Sequence, residues 1–355
     1  MKKSFYLYYQ LMLVLFLLFS LSSSSQQVSN EKLIELKKVV ASDKYPKVDG
    51  VVISKNSEIL FEEYFNGFDS DSLHDTRSSF KSITSLLAGI AIDQGLFKTE
   101  DKLHLFFKEW KNDPRGKITI KDLLQMKSGL ACEGFFGIGT DCETEMWETN
   151  DWQEYILNIP LRHNPGLNWA YTSMEPELIG MIISRTSKMT LVEFARQYLF
   201  EPLEIENYQW FITPSGDGYA AGSFFMKPID MWKIAQLVLT NGKWKGEQIV
   251  SESWIKESTD CQTDVEMSFV RFARTINAKY ATANFGYFWY RELLKYEDIN
   301  TEVLFASGNG GQYIMILKDY NAVIVFTGSN YGNWKGKLPF DILLKYIIPI
   351  LENKN

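Results

Sequence analysis

The chain has 355 residues, 45% hydrophobic and 15% aromatic, enough for one large core or two closely joined lobes. A formal net charge of -7 leaves no electrostatic footprint for nucleic acid. Three cysteines and three scattered histidines (His74, His104, His163) match no zinc spacing, so neither a metal nor another cofactor is expected.

Residues 1–25 read as a signal peptide, with Lys2 and Lys3, an apolar run from Leu11 to Leu21, and then serines. The run is shorter than the roughly 20 apolar residues of a membrane span. An exported protein, periplasmic or extracellular, with no stable span after cleavage is therefore expected. Next comes an amphipathic helix, Asn30–Ala41, with Leu33, Leu36, Val39 and Val40 on one side. Strands Val51–Ser54 and Ile59–Phe65 form a hairpin around a Lys55–Glu58 turn. Arg77-Ser78-Ser79-Phe80-Lys81 then opens an apolar helix that runs to Gly95, with Phe80, Ile83, Leu87 and Ile90 on one face. Thr119 and Asp122 form a capping box ahead of Leu123–Met126. Gly129–Thr149 has no period and reads as a long binding loop.

Helices are predicted at Trp152–Ile159, Glu177–Arg185, Leu191–Leu199, Ile229–Leu239 and Ser253–Glu257. Strands follow at Asn284–Arg291, Glu302–Ala306, Gln312–Lys318 and Ala322–Thr327, and a helix at Leu338–Leu351 closes the chain. A lone hairpin is marginal in water. The two strand groups therefore imply one antiparallel sheet built from both chain ends, with the terminal helices on one face. This is an α/β (α+β) fold: an α/β lobe at about 30–98 plus 283–355, a helical lobe inserted at about 99–282, and a cleft between them.

Three motifs carry chemistry. Ser78 and Lys81 are three apart, so their side chains lie together on a helical turn. A lysine desolvated by an apolar wall can act as base toward a serine hydroxyl. The Ser-x-x-Lys pattern occurs three times, and only here does it open a long apolar helix, unlike Ser29…Lys32 and Ser253…Lys256. A capping serine with a solvated lysine is the plainer reading. Tyr171, on the loop after Pro165-Gly166, is a candidate base, because a neighbouring ammonium favours its phenolate; aromatic packing is the alternative. Ala306-Ser307-Gly308-Asn309-Gly310-Gly311-Gln312 is either a plain hairpin turn or a strand edge offering an N–H to an oxyanion. Cys132 and Cys142 could close a small loop in an oxidising compartment, worth about 2–3 kcal/mol, leaving Cys261 over; three separate thiols are the other reading.

In this order the motifs resemble the serine β-lactamase superfamily, within it the class C β-lactamase/esterase branch that includes the 6-aminohexanoate-dimer hydrolases. The resemblance runs from Val51 to the C-terminal helix. It includes Leu123–Leu130, Tyr171-Thr172-Ser173, Gly218–Gly222 and Asn241–Trp244 besides Ser78–Lys81 and Gly308–Gln312. It implies Ser78 as the acylated nucleophile, Lys81 as its base and Tyr171 as the proton shuttle. The backbone N–H groups of Ser78 and Asn309 are implied as oxyanion hole, with Ser173, Ser307 and Gly308 at the substrate. Two departures stand out: the family's Tyr-x-Asn is here Tyr-x-Ser, and its Lys- or His-x-Gly is Ala306-Ser307-Gly308.

The reading that follows is a secreted serine hydrolase cleaving a small-molecule ester or amide, of unassigned oligomeric state. A Ser-His-Asp hydrolase is disfavoured, because no Gly-x-Ser-x-Gly elbow is present. A β-lactamase or DD-peptidase is one alternative, and a non-catalytic binding protein on the same fold is another. Because Ala306 supplies no cation, uncharged short-chain esters or amides are expected to be preferred. Arginines elsewhere could substitute for that cation, with Arg162 and Arg271 as candidates by position only.

Overall fold

The computed structural model describes residues 30–132, 142–265, 269 and 283–352. The expected signal peptide, Arg271 and part of the Gly129–Thr149 loop lie outside them. Helix α1 (30–40) precedes β1 (Val48–Lys55) and β2 (Glu58–Tyr64). Asn56 and Ser57 both have positive φ (53° and 67°), as a tight primed hairpin turn requires. The other strands of the sheet are β3 (Thr263–Val265), β4 (Ala283–Phe285), β5 (Tyr290–Tyr296), β6 (Ile299–Gly308), β7 (Gln312–Leu317) and β8 (Ala322–Gly328). All pairs are antiparallel, in the order β2-β1-β8-β7-β6-β5-β4-β3. The first strand therefore pairs with the last, and the sheet is indeed built from both ends of the chain.

Every residue of β7 and β8 is buried, so both sheet faces are covered. Successive side chains of β1 point to opposite faces. Ser54 accepts from Trp232 Nε1 of helix α8 (Pro228–Leu239), whereas Lys55 donates to the Leu351 carbonyl of the C-terminal helix. One face thus carries α8 and the other the terminal helices.

The remaining helices are α2 (Phe80–Asp93), α3 (Ile120–Leu124), α4 (Cys142–Trp147), α5 (Trp152–Asn158), α6 (Met174–Ser187), α7 (Leu191–Ala195), α8 (Pro228–Leu239) and α9 (Glu252–Thr259). The chain closes with α10 (Leu338–Ile342), which runs on through a wider turn to Leu351. At the end of α2, Gly95 takes φ +73°, and its N–H and that of Leu96 satisfy the Ile92 and Ala91 carbonyls. The Thr119–Asp122 capping box is present at α3.

Two expectations change. The strand expected over Asn284–Arg291 is two strands, β4 and β5, reversing at Gly286–Trp289. A Cβ at Gly286 would lie 2.5 Å from the Ser258 carbonyl, and Phe288 takes φ +62°. The helix expected from Glu177 starts at Met174, because Pro176 falls in the first turn, where no intrahelical N–H is required. A small sheet of His74–Asp75, Phe224–Met226 and Tyr208–Trp210 had no clear sequence signal. Among the described residues no helix is long and apolar enough to cross a membrane.

Candidate active site

Ser78 lies on a single 3-10 turn, Arg77–Ser79, wedged between the small sheet and α2. Thr76 Oγ1 donates to the Phe224 carbonyl at 2.8 Å and Ser79 Oγ to the Thr76 carbonyl at 2.7 Å. Arg77 is held at φ +49°, its N–H donating to Asp75 Oδ1 and its guanidinium paired with Asp75 Oδ2. A non-glycine residue in that region costs energy, and tertiary contacts must impose it. Phe80 anchors the turn from below, stacked on Phe224 at 4.7 Å.

Lys81, one turn on, is only 3% exposed. Its Nζ is 3.2 Å from Ser78 Oγ and donates to the Ala221 carbonyl at 2.8 Å. The Tyr171 ring centroid is 5.3 Å from the same Nζ. Ala220 is gripped from two sides, its carbonyl by Thr84 Oγ1 of α2 and its N–H by the Glu177 carboxyl of α6. Burial pushes the Glu177 carboxyl up to about 8 and that of Glu175 up to about 7; hydrogen bonds and the Lys81 charge pull both back in part. Glu175 accepts from Ser128 Oγ at 2.6 Å.

Tyr171 is fixed by its neighbours along the chain. Ala170 N–H donates to the Met126 carbonyl, Gly166 N–H to the Lys127 carbonyl, and Thr172 Oγ1 accepts from Met174 N–H at the start of α6. Ser78, Tyr171, Ser307, Gly308 and Asn309 line one cleft of about 330 Å³. Gly308 is required there: a Cβ would lie 2.3 Å from the Thr76 carbonyl. The end of β6 can thus pack directly on the serine turn.

Of the residues singled out from the sequence, Ser78, Lys81, Tyr171, Asn309, Ser307 and Gly308 come together. Ser173 does not join them in the cleft. It is 3% exposed and donates to Glu143 Oε2 at 2.7 Å, while Tyr219 OH donates to Glu143 Oε1 at 2.7 Å. Its place as the residue before α6 turns the hydroxyl toward α4. The first residue of α4, Cys142, is disulfide-bonded to Cys132, which fixes Glu143 beside Ser173.

Sequence reading missed Glu143, Glu177, the Ala221 carbonyl and Lys337. Only the Gly218–Gly222 stretch of the resemblance pointed near any of them. Lys337 ends the turn Trp334–Lys337 ahead of α10 and lines the cleft with Ser78. Its Nζ stands 4.0 Å from the Phe269 ring centroid and 5.6 Å from that of Tyr313. Burial pulls its amine down to about 7, against the raising effect of the Glu292 charge.

The mixed α/β fold is that of β-lactamase-family domains, and its cleft brings a serine, a lysine and a tyrosine together. The chain belongs to the β-lactamase family, whose family model matches residues 43–337. The 6-aminohexanoate-dimer hydrolase of Paenarthrobacter ureafaciens is 22% identical over 221 residues, covering 59% of this chain and 56% of that protein. Protein Flp of Staphylococcus aureus is 24% identical over 174 residues, 44% of this chain and 33% of Flp. The chain thus spans about half, or less, of the length of these curated relatives. A Bacillus anthracis protein assigned as a 6-aminohexanoate-dimer hydrolase superposes with a TM-score of 0.72 at 19% identity, over 89% of this chain and 82% of that one. A penicillin-binding protein from Bacillus halodurans gives 0.64 at 14% identity, over 87% of this chain and 99% of the other. At such identities these superpositions establish the fold alone.

Proposed function

We propose that the protein is an exported hydrolase of the class C-like esterase/amidase branch, cleaving an ester or amide through an acyl-enzyme on Ser78. The observation that carries this is the 3.2 Å approach of the buried Lys81 amine to the Ser78 hydroxyl inside a cleft that Tyr171 also lines. Lys81 takes the Ser78 proton as Oγ attacks the substrate carbonyl carbon. The backbone N–H groups of Ser78 and Asn309 hold the oxyanion. As the bond to the leaving group breaks, the proton passes through Lys81 and Tyr171 to the departing oxygen or nitrogen. Water then attacks the acyl carbon, giving a proton back along the same path. The product acid leaves and Ser78 Oγ regains its hydrogen. Ser307 and Gly308 flank the bound substrate, and Ser173 supports the wall through Glu143. The Cys132–Cys142 disulfide supports export to an oxidising compartment.

The test is hydrolysis of p-nitrophenyl acetate together with intact-mass measurement after a fluorophosphonate. The native protein should gain one phosphonyl group and turn over the ester. Ser78→Ala should do neither, and Lys81→Ala should lose nearly as much activity, since groups that act as a unit fail together. Unchanged turnover by Ser78→Ala would overturn the mechanism. A native protein with neither labelling nor turnover would point instead to a non-catalytic binding protein.

A further inference from the structure

Glu143 sits where two segments of the site meet. Its Oε2 accepts from Ser173 Oγ and its Oε1 from Tyr219 OH, each at 2.7 Å. Ser173 follows Tyr171 by two residues, and Tyr219 precedes by two the residue whose carbonyl accepts from Lys81 Nζ, Ala221. One carboxylate therefore ties the segment that carries the tyrosine to the segment that fixes the lysine. Both donors are buried. Burial, and behind it the Glu143 and Glu177 charges, pushes the Tyr219 phenol well above its ordinary range, so the hydroxyl keeps the proton it donates.

The carboxylate is held in turn by α4, whose six residues are too few for a helix to persist alone in water. Its anchors are tertiary. Cys142 at its start is disulfide-bonded to Cys132, and the N–H of the neighbouring Ala131 donates to the Pro160 carbonyl at 2.8 Å. Glu145 Oε2 accepts from Tyr155 OH at 2.7 Å. Trp147 at its end packs edge-on against Tyr219 and Trp152, with ring centroids 5.6 and 4.7 Å away. Glu143 is the residue directly after the disulfide, so that anchor acts on it most closely.

From this we infer that Glu143 is a positioning residue for the reaction at Ser78, and that the Cys132–Cys142 disulfide supports turnover through it. The inference rests on the proposed Ser78 chemistry and deepens it. An ionised carboxylate only accepts and has two oxygens, so it takes both hydroxyls at once; an amide has one such oxygen. Without the bridge, the Tyr171 and Ala221 segments settle independently, and the proton path between Lys81 and Tyr171 loses its fixed length. Glu143 is not among the described residues that line the cleft. Its loss should therefore act on the chemical step rather than on substrate binding.

The experiment compares the native protein with Glu143→Ala, Glu143→Gln, Cys132→Ser/Cys142→Ser, and the triple variant that combines the first and last of these. It reads kcat and KM for p-nitrophenyl acetate and the rate of Ser78 labelling by a fluorophosphonate. Glu143→Ala should lower kcat and the labelling rate by about 10- to 100-fold, the scale of a small misplacement, with KM little changed. Glu143→Gln, which keeps one acceptor, should keep part of the rate. The disulfide variant should fall as well, and adding Glu143→Ala to it should cost little more, because the two act through one contact. Native kcat and labelling in Glu143→Ala would overturn the positioning role. Losses that multiply in the triple variant would overturn the link to the disulfide.

Amide hydrogen exchange separates this from failure of the hydrolase reading. The Met174 N–H is bonded to Thr172 Oγ1 and the Ala220 N–H to the Glu177 carboxyl, one in each bridged segment. In Ser78→Ala protein, adding Glu143→Ala should speed exchange at both by about tenfold, since local opening then meets one tie fewer. Unchanged exchange at both amides would overturn the inference whether or not Ser78 is catalytic.

Discussion

Carboxylates in the first turn of a helix ordinarily favour the dipole from the surface, and Glu175 and Glu177 occupy that turn of α6. Here both are buried, and their pKa values rise from 4.5 to about 7 and about 8. Between those limits the folded chain holds protons that the unfolded chain has released. Their contribution to stability is thus fully present below pH 4.5 and is lost as pH rises through about 7 and 8. Thermal midpoints measured from pH 5 to 9 should fall more steeply for the native protein than for Glu177→Gln, in which the proton cannot leave. Parallel curves would show that Glu177 is already ionised in the fold.

At the scale of elements, periodicity located most helices and strands, and the errors fell where tertiary packing overrides local pattern. Asn284–Arg291 alternates like one strand, yet Ser258 crowds Gly286 and the chain reverses there. At the site, Ser78 and Lys81 could be read because their three-residue spacing is itself the geometry that matters. Ser173, which the resemblance implied at the substrate, has its hydroxyl engaged by Glu143 of the disulfide-tied α4. The joint between the end of β6 and the serine turn is the most exacting contact of the site. Gly308 leaves no room for a side chain against the Thr76 carbonyl. Gly308→Val should therefore push the Asn309 N–H away from Ser78, and a displacement of about 1 Å can cost about 100-fold in rate. Steady-state hydrolysis of p-nitrophenyl acetate would read this, with circular dichroism to show that the sheet persists. Native-like turnover would mean that the oxyanion is held without Asn309.

For the whole molecule, the decisive inference from sequence was that neither strand group could stand alone, and β1 pairs with β8 as that argument requires. The same argument put the terminal helices on one face, whereas α8 on the opposite face was not legible, because an apolar stripe does not name its partner; the opposite neighbours of Ser54 and Lys55 sort the two. The two ends are also tied outside the sheet. Tyr45, just after α1, donates its hydroxyl to Asp341 of α10, and Lys345 pairs with the same fully buried carboxylate. A buried carboxylate that loses a donor keeps its desolvation cost, so removing that hydroxyl should destabilise by about 1–3 kcal/mol. Tyr45→Phe changes almost nothing else in the packing against Tyr346. Urea unfolding should therefore give a lower midpoint with an unchanged slope, since the surface exposed on unfolding stays the same. An unchanged midpoint would show that Asp341 is satisfied without the Tyr45 hydroxyl, and that the chain ends are held together by the β1–β8 pairing and apolar contact rather than by this polar tie.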